Sequence, residues 1–266
     1  MSSYGVSNQT RPLDAILANR RWIRNTRPFP HITATNVFRR PFYHEIEAEF
    51  QVLLRRTFDP SADQAPPMYR MAGYNAFAMN FRADCKWPFR LFLSREWHDL
   101  VAEVADVKAT GEVDCSLHHH KVGSGNGQVH NDLNPGWFLN ERDGNGMTIT
   151  DNARCNYCHG HTSQPGDVAV ERVRGVALIL YLNNRPWRAG DGGETGLYYS
   201  EYDPVERPVV RIPPLNNTML VFACTPFSYH SFLKNDVHAR NSLIMWLHRS
   251  KAEVAARWGE DKIVGW

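Results

Sequence analysis

The sequence predicts a mainly β protein with flanking helices, its sheets packed face to face as a sandwich or barrel. Two observations carry this. After Gly111 the chain becomes a series of short apolar or alternating runs punctuated by Gly, Asn, Asp and Pro. Two of those runs, "GVALILYLN" and "NTMLVF", are apolar throughout, as in strands covered on both sides. A length of 266 residues suffices for one sizeable core. The reading is a single domain over 1–266, with a helical elaboration over about 1–110, a β core over about 111–248 and a long insertion at 135–171.

Residues 1–30 are polar with scattered Pro and read as loops and short turns. "NVFRRPFYHEIEAEFQVLLRRTF" reads as a helix from about Tyr43, since Ile46, Phe50, Leu53 and Leu54 recur at helical spacing and form one apolar stripe. "DPSADQAPP" stops it. A second helix follows Ser94, a candidate N-cap, with Trp97, Leu100, Val101 and Val104 as its stripe. Strands are expected near 114–121, 128–134, 172–183, 195–200, 208–212, 217–222, 227–233 and 238–247. "SKAEVAARWG" reads as a closing helix ended by Gly259. The segment 135–171 has no clear regular pattern, which marks it as a site cover or a small self-contained feature.

Composition removes several classes. A formal charge of +2 without a basic run gives no case for nucleic acid. No apolar stretch is long enough to span a membrane. The N-terminus lacks an apolar signal core, so a cytoplasmic protein is the expectation. The cysteines Cys85, Cys115, Cys155, Cys158 and Cys224 are odd in number and do not form a secreted disulfide framework.

The chemistry-bearing residues begin with "QVHND". Residues i and i+2 of a strand share a face, so an extended segment aims His130 and Asp132 into one space. One imidazole and one carboxylate are two thirds of the set that holds ferrous iron with open positions. A second imidazole must come from elsewhere among twelve histidines. His118, His119 and His120 alternate faces, and His159 and His161 lie beside cysteines. His230 has the better setting. A turn centred on Asn235 would make His230 and Arg240 cross-strand neighbours, roughly 5 Å apart at Cβ. An arginine there is a planar fork for a carboxylate.

Taken in order, these segments resemble the iron(II)/2-oxoglutarate-dependent oxygenases, in their prolyl 4-hydroxylase-like branch. The resemblance rests on His130-x-Asp132, on "LILYLNNRPWRAGDGGETGLYY", on "VVRIPPLNNTMLVF", and on His230 with Arg240 ten residues later; "RPFPHITATNVF" is similar to the lead-in of many members. It implies a double-stranded β-helix, the jelly roll of cupin-like proteins. It implies that His130, Asp132 and His230 bind Fe(II) and that Arg240 pairs with the distal carboxylate of 2-oxoglutarate. Oxidation of a C–H bond by O2 would then release succinate and CO2, hydroxylation being the first expectation. Related halogenases replace the carboxylate with a small residue, so Asp132 argues against halogenation. Many relatives carry a tyrosine nine or ten residues before the first ligand; here "LHHHKVGSGNG" offers His118 or His120 as the cosubstrate contact.

Trp137, Glu194 and Thr195 are candidate substrate-pocket residues. A small metabolite or amino-acid derivative is favoured as substrate, with a peptide or protein side chain as the alternative. A non-catalytic metal or ligand binding protein on the same fold is the rival class. "CNYCHGH" reads first as free thiols; its zinc-ligand spacing also makes Cys155, Cys158 and His161 candidate ligands of a structural Zn(II) stapling the long insertion, and a disulfide or redox role is the third reading.

Overall fold

The computed structural model describes residues 11–19, 21–61, 63–72 and 75–266. The loops expected over residues 1–30 therefore lie outside the described residues at 1–10 and 20. The elements run α1 (Leu13–Ile16), β1 (Ile23–Asn25), β2 (His31–Thr35), α2 (Arg40–Phe58), β3 (Tyr69–Arg70), β4 (Ala76–Asn80), α3 (Arg95–Ala105), β5 (Glu112–His120), β6 (Pro135–Leu139), β7 (Thr148–Ile149), β8 (Ala169–Tyr181), β9 (Thr195–Leu197), β10 (Val210–Ile212), β11 (Thr218–Ala223), β12 (His230–Phe232), β13 (Arg240–Arg249) and α4 (Lys251–Trp258). No helix among the described residues is long and apolar enough to cross a membrane.

Ten strands form one sheet in the order β1-β2-β11-β8-β13-β5-β4-β3, with β6 on β8 and β7 on β5. Three strands, β10-β9-β12, form a second sheet. The two together make the expected jelly roll. The apolar run of β8 shows why it needs cover on both faces. Val176, Leu178 and Leu180 point outward into a core shared with α2 and α3, through Ile46, Phe50, Trp97 and Val101. Ala177, Ile179 and Tyr181 point inward, toward Leu197 and Ile212 of the small sheet. Each fully buried leucine of this kind contributes about 1.5–3 kcal/mol.

The helices follow their stripes. Pro41 supplies the first turn of α2, and the Ser94 side chain caps α3 by accepting from the Trp97 amide. The region expected to be a helical elaboration also contributes β1–β4 to the two edges of the large sheet. Within 135–171, β6 pairs antiparallel with the start of β8 and β7 pairs parallel with β5, so part of the insertion is sheet.

Two local expectations are corrected and one irregularity appears. Residues 128–134 form no strand; an isolated bridge at His130 is all that pairs, because the Asn131 side chain accepts from the Leu133 amide and turns the chain. The segments around Asn235 do not form a hairpin. β12 pairs with β9 in the small sheet, while β13 pairs with β5 and β8 in the large one, so His230 and Arg240 are not cross-strand neighbours. Gly175 lies inside β8, and the register slips by one residue opposite it, between Leu247 and His248.

Candidate active site

His130 and His230 face each other across that isolated bridge. Their backbones exchange two hydrogen bonds, of 3.1 and 2.8 Å, and their rings lie 4.4 Å apart between centroids. Each ring is oriented by its other nitrogen. Nδ1 of His130 donates to the Gln128 carbonyl at 2.8 Å, and Nδ1 of His230 to the Ser228 carbonyl at 3.1 Å. A carbonyl only accepts, so Nδ1 carries the proton and both Nε2 atoms present lone pairs. The Asp132 carboxylate completes the group, with Oδ1 3.8 Å from His130 Nε2 and Oδ2 3.4 Å from His230 Nε2. All three donors lie within 4.8 Å of one another.

The electrostatics of this group call for a cation. Burial alone would raise the Asp132 carboxyl, but neighbouring positive charge, Arg174 first, outweighs it and holds the group well below the usual carboxylate range. Burial and the neighbouring His230 lower His130, favouring the neutral ligand form. Three acceptors thus converge at one point, two nitrogens and an ionised oxygen, which is the donor chemistry of a ferrous facial triad.

One cavity of about 310 Å³ contains this group and continues to Arg240. Its walls come from the inward-facing rows of the large sheet. On β13 these are Arg240, Ile244 and Trp246; on the neighbouring β5 they are His120, opposite Arg240, and His118. Arg240 is 3% exposed and lies over the rings of Tyr181 and Phe232. Its Nη2 reaches Thr195 Oγ1 at 3.4 Å, and Tyr181 shares that hydroxyl at 2.7 Å. Among the described residues it has no carboxylate partner. The Arg240 Nε, His120 Nδ1 and Ser242 Oγ atoms are buried without hydrogen-bond partners. A buried cation ringed by unsatisfied polar atoms is a receptor for an anion. The residues present therefore fit both Fe(II) and a dicarboxylate beside it.

The remaining sequence candidates divide. Thr195 lines the cavity and His120 stacks on Phe232 at 4.2 Å beside Arg240, with His118 next along the same wall. Trp137 and Glu194 are corrections: neither lines it. Trp137 packs over Gly160, where a Cβ would come within 2.5 Å of the indole. Glu194 is buried beside Arg211 at 3.5 Å and lines a separate cavity with it. The zinc expectation gains no support. Among the described residues only the group at His130 gathers three metal-ligating side chains within 4.8 Å, and Cys155, Cys158 and His161 are not so gathered. Asparagines build that loop instead: Asn152 accepts from the Tyr157 amide, and Asn156 from those of Cys158 and His159.

Sequence reasoning missed Arg174, Trp246 and Trp266, all of which line the cavity. The Asp132 carboxylate accepts from Arg174 Nη1 at 2.9 Å and from Trp246 Nε1 at 2.8 Å, one donor on each oxygen. Trp246 was within reach, since it stands six residues beyond Arg240 in one strand and must share its face. Arg174 was not, because strand parity sets it opposite Ala177 until the slip at Gly175 turns it inward.

The sequence profile of the 2OG-Fe(II) oxygenase superfamily matches residues 152–248. Over that span the chain is similar to this superfamily. The matched span holds His230 and Arg240, and the fold brings His130 and Asp132 to them from outside it. No curated protein sequence matches this chain. Among solved structures it is similar to a prolyl hydroxylase from Trichoplax adhaerens in complex with a hypoxia inducible factor peptide fragment. That pair shares 16% identity over 85% of this chain and 86% of the other, with a TM-score of 0.51, a likeness of fold. A Pseudomonas putida prolyl-4-hydroxylase matches at 15% identity over 82% and 92%, TM-score 0.49. A non-heme alpha ketoglutarate dependent carbocyclase from nogalamycin biosynthesis matches at 10% identity over 82% and 79%, TM-score 0.47.

Proposed function

We propose that this oxygenase hydroxylates an unactivated C–H bond of a small metabolite or amino-acid derivative, using Fe(II), 2-oxoglutarate and O2 and releasing succinate and CO2. One observation carries the reading: a cation-seeking triad and an anion-seeking Arg240 share one cavity. His130, Asp132 and His230 would hold the iron, leaving positions for cosubstrate and oxygen. Bound there, iron with 2-oxoglutarate and O2 supplies an oxidant able to remove hydrogen from carbon.

The chain's own residues bind, orient and exclude. Arg240, with Thr195 and Tyr181, receives the distal carboxylate, and His120 and Ser242 offer it further polar contacts. Ile179, Ile244 and Phe232 line the space between with apolar surface and keep water from it. The partly exposed members His130, Met71, Trp246 and Trp266 mark the mouth. A volume of 310 Å³ is at the lower end of small-molecule sites, and it must admit cosubstrate as well. That supports a small substrate. The five free cysteines fit action in a reducing, cytoplasmic compartment.

The test is incubation of the iron-loaded protein and 2-oxoglutarate with a cell extract split into small-molecule and polypeptide fractions. A mass gain of one oxygen in the small-molecule fraction, with matching succinate, is expected. A gain confined to polypeptides moves the substrate class to a peptide or protein side chain. Absence of succinate with both fractions overturns the reading. Asp132→Ala should abolish turnover and weaken metal binding at least tenfold, and full activity in that variant would remove Asp132 from the ligand set.

A further inference from the structure

The loop that carries "CNYCHGH" delivers one side chain to the interior. Tyr157 is 5% exposed. Its carbonyl accepts from the Trp137 amide, and its ring fills the space over Gly136, where a Cβ would come within 2.5 Å of it. Phe138, His248 and Trp266 surround the ring edge-on, each about 5.6 Å away between centroids.

The phenol sits in a chain of hydrogen bonds whose direction is fixed throughout. His248 Nδ1 lies 3.1 Å from the Glu112 carbonyl and must donate to it, so His248 Nε2 is an acceptor. Tyr157 donates its hydroxyl proton to that Nε2 at 2.7 Å. Its oxygen is then left to accept from Arg174 Nε at 3.1 Å. Arg174 donates through Nη1 to Asp132 Oδ1. Two indoles also pack against the guanidinium, Trp246 at 3.7 Å and Trp266 at 4.8 Å. A planar fork anchored at Nε and packed against two indoles has little freedom to swing Nη1. Phenylalanine would fill the same volume, but without the hydroxyl nothing holds the Nε edge.

We infer that Tyr157 is a positioning residue for the metal-binding carboxylate, acting through Arg174 to set how Asp132 presents its oxygens. The inference rests on reading His130, Asp132 and His230 as the metal site. The long insertion thereby orients a ligand it never touches.

The experiment compares the wild-type protein with Tyr157→Phe, Arg174→Lys and the double variant. Mn(II) affinity is measured by titration and ligand geometry by the visible spectrum of the Co(II)-loaded protein, both without substrate. Tyr157→Phe should weaken Mn(II) binding about tenfold and shift the Co(II) bands. Arg174→Lys, which keeps the charge and loses the fork, should lose at least as much. The double variant should bind no more weakly than Arg174→Lys alone, since the tyrosine acts through the arginine. Mn(II) affinity within twofold of wild type in Tyr157→Phe, with an unchanged Co(II) spectrum, overturns the inference. Additive losses in the double variant do so as well. If Tyr157→Phe does not fold, a wild-type Co(II) spectrum in Arg174→Lys overturns it instead. A wild-type protein that binds neither ion overturns the site itself, and the positioning role with it.

Discussion

At the scale of single residues, the cavity has the His130, Asp132 and His230 donors at one end and a buried arginine at the other. Arg240 is the clearest case, a buried cation whose Nε and whose neighbours His120 and Ser242 are unsatisfied. Arg240→Ala should raise the KM for 2-oxoglutarate at least about thirtyfold, the loss of about 2 kcal/mol expected when one partner of a buried charge pair is removed. Mn(II) affinity should change little. Equal losses in the two titrations would contradict the assignment. What the sequence revealed here followed the order of its motifs, since neither the strand nor the hairpin expected to carry them forms. His130 and Asp132 two apart, and Arg240 ten beyond His230, could be read along the chain. Tyr157 could not: it stands among cysteines and histidines that advertise a metal, and the partners of its hydroxyl, Arg174 and His248, are 17 and 91 residues away.

At the scale of elements, the apolar stripes of α2 and α3 and the alternation in β5, β8, β11 and β13 were legible because they are local patterns enforced by burial. Pairing across sheets was not. β12 and β13 flank a turn-like "KND" and still separate, since the short β12 finds its partner in β9 and the long β13 lies between β5 and β8. Nothing in the local composition distinguishes a hairpin from a crossing between sheets. The slip at Gly175 was equally hidden, although it decides that Arg174 meets Asp132. The contact between β6 and the Tyr157 loop offers a test of this scale. Gly136→Ala places a Cβ against the Tyr157 ring, which is hemmed in by other rings and cannot yield easily. The variant should lose about 1–3 kcal/mol of stability by chemical denaturation and weaken Mn(II) binding in the manner of Tyr157→Phe. Wild-type stability and affinity would show that the ring has room to move.

At the scale of the whole molecule, the buried histidines set an acid limit. Burial, with nearby arginines, lowers His118 to about 3, and burial with Arg174 lowers His248 to about 3; burial with Arg240 lowers His120 to about 2. Above about pH 6.5 these imidazoles are neutral both folded and unfolded and contribute nothing to pH dependence. Below it the unfolded chain takes up protons that the folded chain refuses, so stability falls as pH drops from about 6.5 toward 3. Each histidine contributes about 1.4 kcal/mol per pH unit within that window. Asp114 opposes the trend, because burial raises its carboxyl and the folded state keeps its proton longer. The urea midpoint of the metal-free protein should be flat above pH 7 and decline steadily below pH 6. A midpoint that stays level to pH 5 would mean the imidazoles protonate in place. A different consequence follows from the isolated bridge between His130 and His230. Two backbone hydrogen bonds tie together stretches a hundred residues apart, and an ion seated between their rings would act as a clasp on that loop. Loading the centre and hardening the protein against heat become a single event. A saturating dose of Mn(II), a hundred times its Kd, should add about 2.7 kcal/mol and lift the melting temperature, and a chelator should take both away.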